Sequence, residues 1–102
     1  MERYRDFIPD FEAFQQTIRE PQPHDFRVNT LKADVEEVRH WMEAHGYTAE
    51  QLSWNDRFFR ADFEPGRTML QWLGKIYVQE SVSGIPPLAL DPQPGERVLD
   101  LC

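Results

Sequence analysis

The closing segment restricts the fold more than any other part of the chain. Asp91-Pro92-Gln93-Pro94-Gly95-Glu96 is turn-forming, and Arg97-Val98-Leu99-Asp100-Leu101-Cys102 follows as an apolar run carrying an acid near its end. An apolar run leaving a Pro-x-Pro-Gly turn has the pattern of the first strand of a doubly wound parallel sheet. Such strands deliver ligands to the crevice at their carboxyl ends. Each strand–helix–strand unit of that sheet takes about 30 residues or more. None follow residue 102, so the chain is expected to stop just inside a second structural unit. The residues before it must then fold as a unit of their own. With 40 % hydrophobic and 13 % aromatic residues they can build one small core, despite a mean hydropathy of −0.65.

The upstream pattern alternates helix and strand. Phe11, Phe14 and Ile18 share one helical face between an N-cap at Asp10 and the stop at Pro21, which predicts a core-facing amphipathic helix. Phe26 and Val28 alternate with Arg27 and Asn29 as in a half-buried strand. Asp34 caps a second helix, with Glu37 placed to complete a capping box. Val35, Val38, Trp41 and Met42 line its buried face, Gly46 ends it, and Tyr47 is placed to pack back on the last turn. Leu52 to Phe63 reads as strand material broken at Asn55-Asp56, and Glu64-Pro65-Gly66-Arg67 closes it. A short helical patch at Met69, Leu70, Trp72 and Leu73 precedes a strand at Ile76-Tyr77-Val78. A helix starting near Ser81 is distorted around Pro86-Pro87.

Several function classes are excluded by composition. Eleven Lys+Arg against 18 Asp+Glu leave a net charge of −7, which argues against gripping nucleic acid or an anionic membrane by bulk charge. A single cysteine rules out an internal disulfide or an all-cysteine metal site. His24, His40 and His45 have no companions at metal-ligand spacing, so no metal is expected. No apolar stretch approaches the roughly 18–20 residues of a membrane span, and no signal region follows Met1. A soluble, cytoplasmic, monomeric protein is the expectation. No phosphate-binding loop, Ser-His-Asp set or glycosidase carboxylate pair is present.

Three ordered blocks carry a family resemblance: Arg27-Val28-Asn29-Thr30-Leu31-Lys32, Gly74-Lys75-Ile76-Tyr77-Val78-Gln79-Glu80-Ser81-Val82-Ser83, and Pro94-Gly95-Glu96-Arg97-Val98-Leu99-Asp100-Leu101-Cys102. Together they resemble the amino-terminal part of the RsmB/RsmF (Sun-type) RNA cytosine-5 methyltransferases. That family reads R-V-N-T-L-K, then G-x-x-Y-x-Q-E-x-S-S, then P-G-E-x-V-L-D-x-C-A-A-P-G-G-K. Val82 replaces the first of the two serines. The resemblance implies an α+β fold. A small RRM-like RNA-recognition domain (residues 1–75) would be followed by a linker and helix (76–96) and the first strand of a Rossmann-like methyltransferase domain (97–102). It implies S-adenosylmethionine as cofactor and rRNA or tRNA as partner. The chemistry would be attack of a cysteine thiolate on cytosine C6, with methyl transfer to C5. The family's two catalytic cysteines lie in Pro-Cys and Thr-Cys motifs absent here, so no catalytic residue is assigned and the chain alone is expected to be inactive.

Candidate site residues follow. By the resemblance, Cys102 corresponds to the first position of the family's cofactor loop and Asp100 to the end of the preceding strand, so both are cofactor-pocket candidates in the intact enzyme. Asp100 has the alternative of capping a turn. Arg27, Asn29 and Lys32 are candidate RNA contacts to phosphate, sugar hydroxyl or a loop base, against a solvated strand edge as the alternative. Gln79, with Ser83, lies in the joining segment and is a further RNA-side candidate; a helix cap near Ser81 is the competing role. Arg57, Arg60 and Arg67 are diluted by Asp56, Asp62 and Glu64. Trp54, Phe58 and Phe59 are either base-stacking or core aromatics. Two rival functions stay open: a free-standing RNA-binding module, and a protein–protein module docking through Val98, Leu99 and Leu101.

Overall fold

Hydrogen bonding in the computed structural model, which describes residues 2–101, resolves the alternating pattern into eight α and β elements. A 3-10 turn at Glu2–Tyr4 precedes α1 (Phe11–Arg19), β1 (His24–Val28), α2 (Val35–Ala44), β2 (Ala49–Gln51) and β3 (Phe58–Ala61). After a second 3-10 turn at Pro65–Arg67 come α3 (Met69–Trp72) and β4 (Ile76–Val78). A third, Ser81–Gly84, leads into α4 (Ile85–Leu90). The four strands form one antiparallel sheet in the order β2-β3-β1-β4. With one helix between β1 and β2 and another between β3 and β4, this is the split β-α-β-β-α-β arrangement, the α+β, RRM-like domain the sequence implied.

The core lies on the sheet face that α2 and α3 cover. Phe26 and Val28 of β1, Phe59 and Ala61 of β3 and Ile76 of β4 meet Val38 and Met42 of α2 and Leu70 of α3. Phe26 opposes Phe59 in register, and their rings stack with centroids 5.4 Å apart and planes 8° apart. Burying each such side chain stabilises the fold by about 1.5–3 kcal/mol. The α2 signals operate as expected: the Asp34 side chain accepts from Glu37 N at 3.0 Å, Gly46 takes φ +71°, and Tyr47 N donates to Met42 O at 3.0 Å. The capping box is only half built, because the Glu37 carboxylate pairs with Lys75.

Three expectations are modified. Helix α1 has its Asp10 cap, yet only Phe11 is buried and Ile18 is 43 % exposed. Phe11 packs under the Arg5 guanidinium and beside Phe14, outside the main core, since α2 and α3 already cover the sheet's apolar face. Strand β2 begins earlier than expected, at Ala49, and residues 52–57 form a wide turn. There Asn55 accepts from Phe58 N through its carbonyl and from Arg57 N through its side chain. Phe58 and Phe59 are successive in a strand and both buried, because the second face of the sheet is also covered at this point. Trp54 packs on Phe58 at 5.1 Å, and Gly84 lies so close that a Cβ there would sit 2.4 Å from the Phe58 ring.

Residues 91–101 are exposed throughout, and 97–101 join no ladder with the described strands.

Candidate nucleic-acid interface

Alternation along β1 sends Phe26 and Val28 into the core and Asp25 and Arg27 to the other face. Arg27 lies opposite Phe58 on β3 and Tyr77 on β4, and directly paired residues project to the same side. Arg57 immediately precedes β3, and the turn after β1 brings Lys32 back to the same rim. The result is a concavity of about 470 Å³ lined by Arg27, Asn29, Lys32, Arg57, Gln71 and Tyr77 among others. Three cations and no carboxylate line it, on a chain whose net charge is −7. None of the three is ion-paired among the described residues.

Asn29 builds this site from within. Its side-chain amide donates to Gly74 O at 2.9 Å, its side-chain oxygen accepts from Leu31 N at 3.3 Å, and its backbone N donates to Lys75 O at 2.8 Å. Lys32 Nζ reaches Leu73 O at 3.4 Å. The first two sequence blocks therefore meet at one joint. Gly74 serves it with φ +69°, where a side chain would be strained and its Cβ would lie 2.8 Å from Lys32 Nζ. Gln79 accepts from Arg27 Nε at 3.3 Å and so orients that guanidinium, while its backbone N donates to Asp25 O at 3.2 Å. Arg27 and Gln79 also border a second concavity of about 250 Å³ beside Ser83.

The other candidates are placed elsewhere. Phe58 and Phe59 are buried, which removes them as stacking surfaces, and Trp54 leans on Phe58. Arg60 pairs with Asp25 and Arg67 with Glu64, leaving Arg57 as the arginine of that group that faces the concavity. Asp100 is exposed and lines neither concavity, and Cys102 lies outside the described residues. Among the described residues no cluster of three or more His, Cys, Asp or Glu could hold a metal. No helix of the described residues is long and apolar enough to cross a membrane.

The sequence reading missed Asp25, whose partners are distant in the chain. Its carboxylate is buried, takes two hydrogen bonds from Arg60 at 3.0 and 3.3 Å, and accepts from Ser81 N at 3.3 Å. Burial opposes its ionisation, but the bonds from Arg60 and Ser81 together with Arg60's charge outweigh this and hold the carboxyl below its ordinary 3.8. A lowered carboxyl pKa means the stabilisation is complete above the ordinary value and is lost as pH falls through the folded one. Asp25→Ala is expected to cost about 1.5–3 kcal/mol near neutral pH, as loss of hydrogen bonds to a charged group does. In urea titrations the gap from wild type should shrink as pH is taken from neutral to strongly acidic, through the lowered carboxyl range. An equal gap at both pH values would refute the assignment.

Residues 1–81 match the family described as the N-terminal domain of 16S rRNA methyltransferase RsmF. The tRNA (cytosine(49)-C(5))-methyltransferase of Pyrococcus abyssi is 32 % identical across 99 % of this chain and 33 % of its own length. Ribosomal RNA small subunit methyltransferase F of Shewanella amazonensis is 36 % identical across 74 % of this chain and 17 % of its own length. The crystal structure of a methyltransferase homolog protein from Pyrococcus horikoshii matches with a TM-score of 0.70 and 34 % identity, covering 86 % of this chain and 30 % of that one. The chain thus spans a third or less of the length of these relatives. Fold, ordered sequence blocks and relatives agree, and the chain belongs to the family of the RsmF N-terminal domain.

Proposed function

We propose that this chain is the RNA-positioning portion of an RNA cytosine-C5 methyltransferase acting on rRNA or tRNA. The observation that carries this is the cationic, carboxylate-free concavity on the outer sheet face of an otherwise acidic chain. Arg27, Lys32 and Arg57 hold backbone phosphates, Gln79 sets the direction of the Arg27 guanidinium, and Asn29 shapes the rim. Asn29 therefore contributes to RNA binding through the joint it makes with Gly74. In this reading residues 1–75 recognise RNA, 76–96 link, and 97–102 begin the catalytic domain.

Asp100 and Cys102 belong to the S-adenosylmethionine side of the complete enzyme. Asp100 is exposed, and the rest of that pocket is assigned in this reading to the catalytic domain. The nucleophilic cysteine also lies outside this chain in our reading. The 102-residue protein therefore binds without methylating, as a cytoplasmic monomer.

A fluorescence-anisotropy titration against labelled rRNA and tRNA hairpins tests this. The double variant Arg27→Ala/Arg57→Ala is expected to bind about tenfold or more weakly near physiological salt. The slope of log K against log salt should fall by about 0.7 for each arginine removed. An unchanged slope sinks the phosphate assignment, and methyl transfer by the 102-residue chain from labelled S-adenosylmethionine sinks the assignment of catalysis elsewhere.

A further inference from the structure

The concavity contains an aromatic ring that phosphate binding does not use. Tyr77 is 55 % exposed on edge strand β4, stands opposite Arg27, and lines the cationic concavity. Phe26 and Phe59 face the core, and Phe58, which shares Tyr77's face, is closed off by Trp54 and Gly84. Tyr77 is thus the one Phe, Tyr or Trp in a strand of the described residues that is open to solvent. Beside it, the Gln71 side-chain oxygen accepts from Val78 N at 3.2 Å, which leaves the Gln71 amino group as a hydrogen-bond donor at the concavity wall.

We propose that Tyr77 is a nucleobase platform, so that the concavity takes an unpaired nucleotide of single-stranded RNA. The base lies on the tyrosine ring, its phosphates meet Arg27 and Arg57, and the Gln71 amino group donates to the sugar or base edge. This rests on the RNA-binding reading above and adds to it the state of the RNA. In a duplex the bases are already stacked and offer a protein chiefly phosphates and sugar hydroxyls, whereas loops and bulges present free base faces to aromatic side chains. The volume, about 470 Å³, lies in the range of sites that enclose one small ligand and is far too small for a helix of RNA. Central-strand stacking is unavailable in this protein because the segment Ser81–Gly84 lies over Phe58, so the platform has moved to the edge strand.

The test compares three labelled RNAs of equal phosphate number: a single strand, the same strand with abasic positions, and a blunt duplex. Wild type should bind the single strand best. Tyr77→Ala and Tyr77→Val should bind it about tenfold more weakly, keep the wild-type salt slope, and leave duplex and abasic affinity unchanged, while Tyr77→Phe should behave as wild type. The valine variant preserves strand propensity and guards against misfolding, which a circular-dichroism melt checks directly. Single-strand affinity within twofold of wild type for both non-aromatic variants overturns the platform. So does a loss in Tyr77→Phe as large as in Tyr77→Ala, or equal wild-type affinity for normal and abasic strands. If Arg27→Ala/Arg57→Ala weakens binding while the Tyr77 variants do not, stacking alone fails. If wild type binds none of the three RNAs, the RNA-binding reading fails with it.

Discussion

Phe59→Ala is expected to lower the unfolding free energy by about 3–5 kcal/mol, the largest effect of any single truncation proposed for this chain. Phe59 is fully buried on central strand β3, and its ring is sandwiched in three ways. Phe26 stacks on it from β1 at 5.4 Å, the Arg39 guanidinium of α2 lies 5.8 Å from its centroid, and the aliphatic core surrounds the rest. Truncation removes the transfer energy of the ring and leaves a cavity that two packed layers cannot collapse to fill. Since each kcal/mol moves the melting temperature of a domain this size by roughly 4–8 °C, the variant should melt well over 12 °C below wild type. Phe59→Leu keeps most of the volume and should lose far less. A melt of Phe59→Ala within 5 °C of wild type, on the order of 1 kcal/mol, would show that this ring is not central to the core.

Gly84→Val is expected to destabilise by about 1–3 kcal/mol through overpacking, and to do so locally. Backbone geometry is not the cause, because Gly84 has φ −79° and any residue can adopt it. The obstacle is space: a Cβ would lie 2.4 Å from Phe58 Cζ and 3.3 Å from the Trp54 ring. Phe58 is 1 % exposed and has nowhere to retreat, so the segment must lift from the sheet. Hydrogen exchange should then quicken at Ser83 N and Asp91 N, which donate to Glu80 O and Pro87 O, while amides of β1 and β3 stay protected. The Asp25 bond to Ser81 N should hold the segment's first residue, so exchange at Ser81 should change least. Uniform loss of protection through β1 and β3 would show that the segment and the sheet unfold as one unit.

These two variants separate what could be read locally from what could not. Helix α2 was legible because each of its signals acts within a few residues. Asp34 binds the amide three positions on, Gly46 supplies the left-handed exit, and Tyr47 folds back on Trp41 with centroids 5.7 Å apart. The burial of Phe26 and Val28 was equally legible, since period-two alternation needs only one covered face. Phe58 escaped that reasoning: its cover comes from Gly84, 26 residues later in the sequence, and alternation says nothing of a second covered face. The same reason hid Asp25, whose partners Arg60 and Ser81 are 35 and 56 residues away. It also explains α1, whose apolar stripe predicts a covered face without saying that α2 and α3 occupy the sheet first.

The candidate site divides along the same line. Arg27, Asn29, Lys32 and Gln79 could be picked out from the chain, but their division of labour could not. Only the folded geometry turns Asn29 inward to Gly74, joins Gln79 to Arg27, and recruits Arg57 and Tyr77 from β3's approach and β4. The amino-acid sequence by itself determined the types of α1, β1, α2, α3 and β4, the caps of α1 and α2, the inward face of β1 and the family. These depend on contacts between near neighbours or on the order of motifs along the chain. Tertiary structure decided which cations are left unpaired, which aromatics are closed off, and that three positive charges gather in one concavity of an acidic protein. Those outcomes are set by which strands become neighbours, and strand neighbours are chosen by closing loops of tens of residues around a shared core.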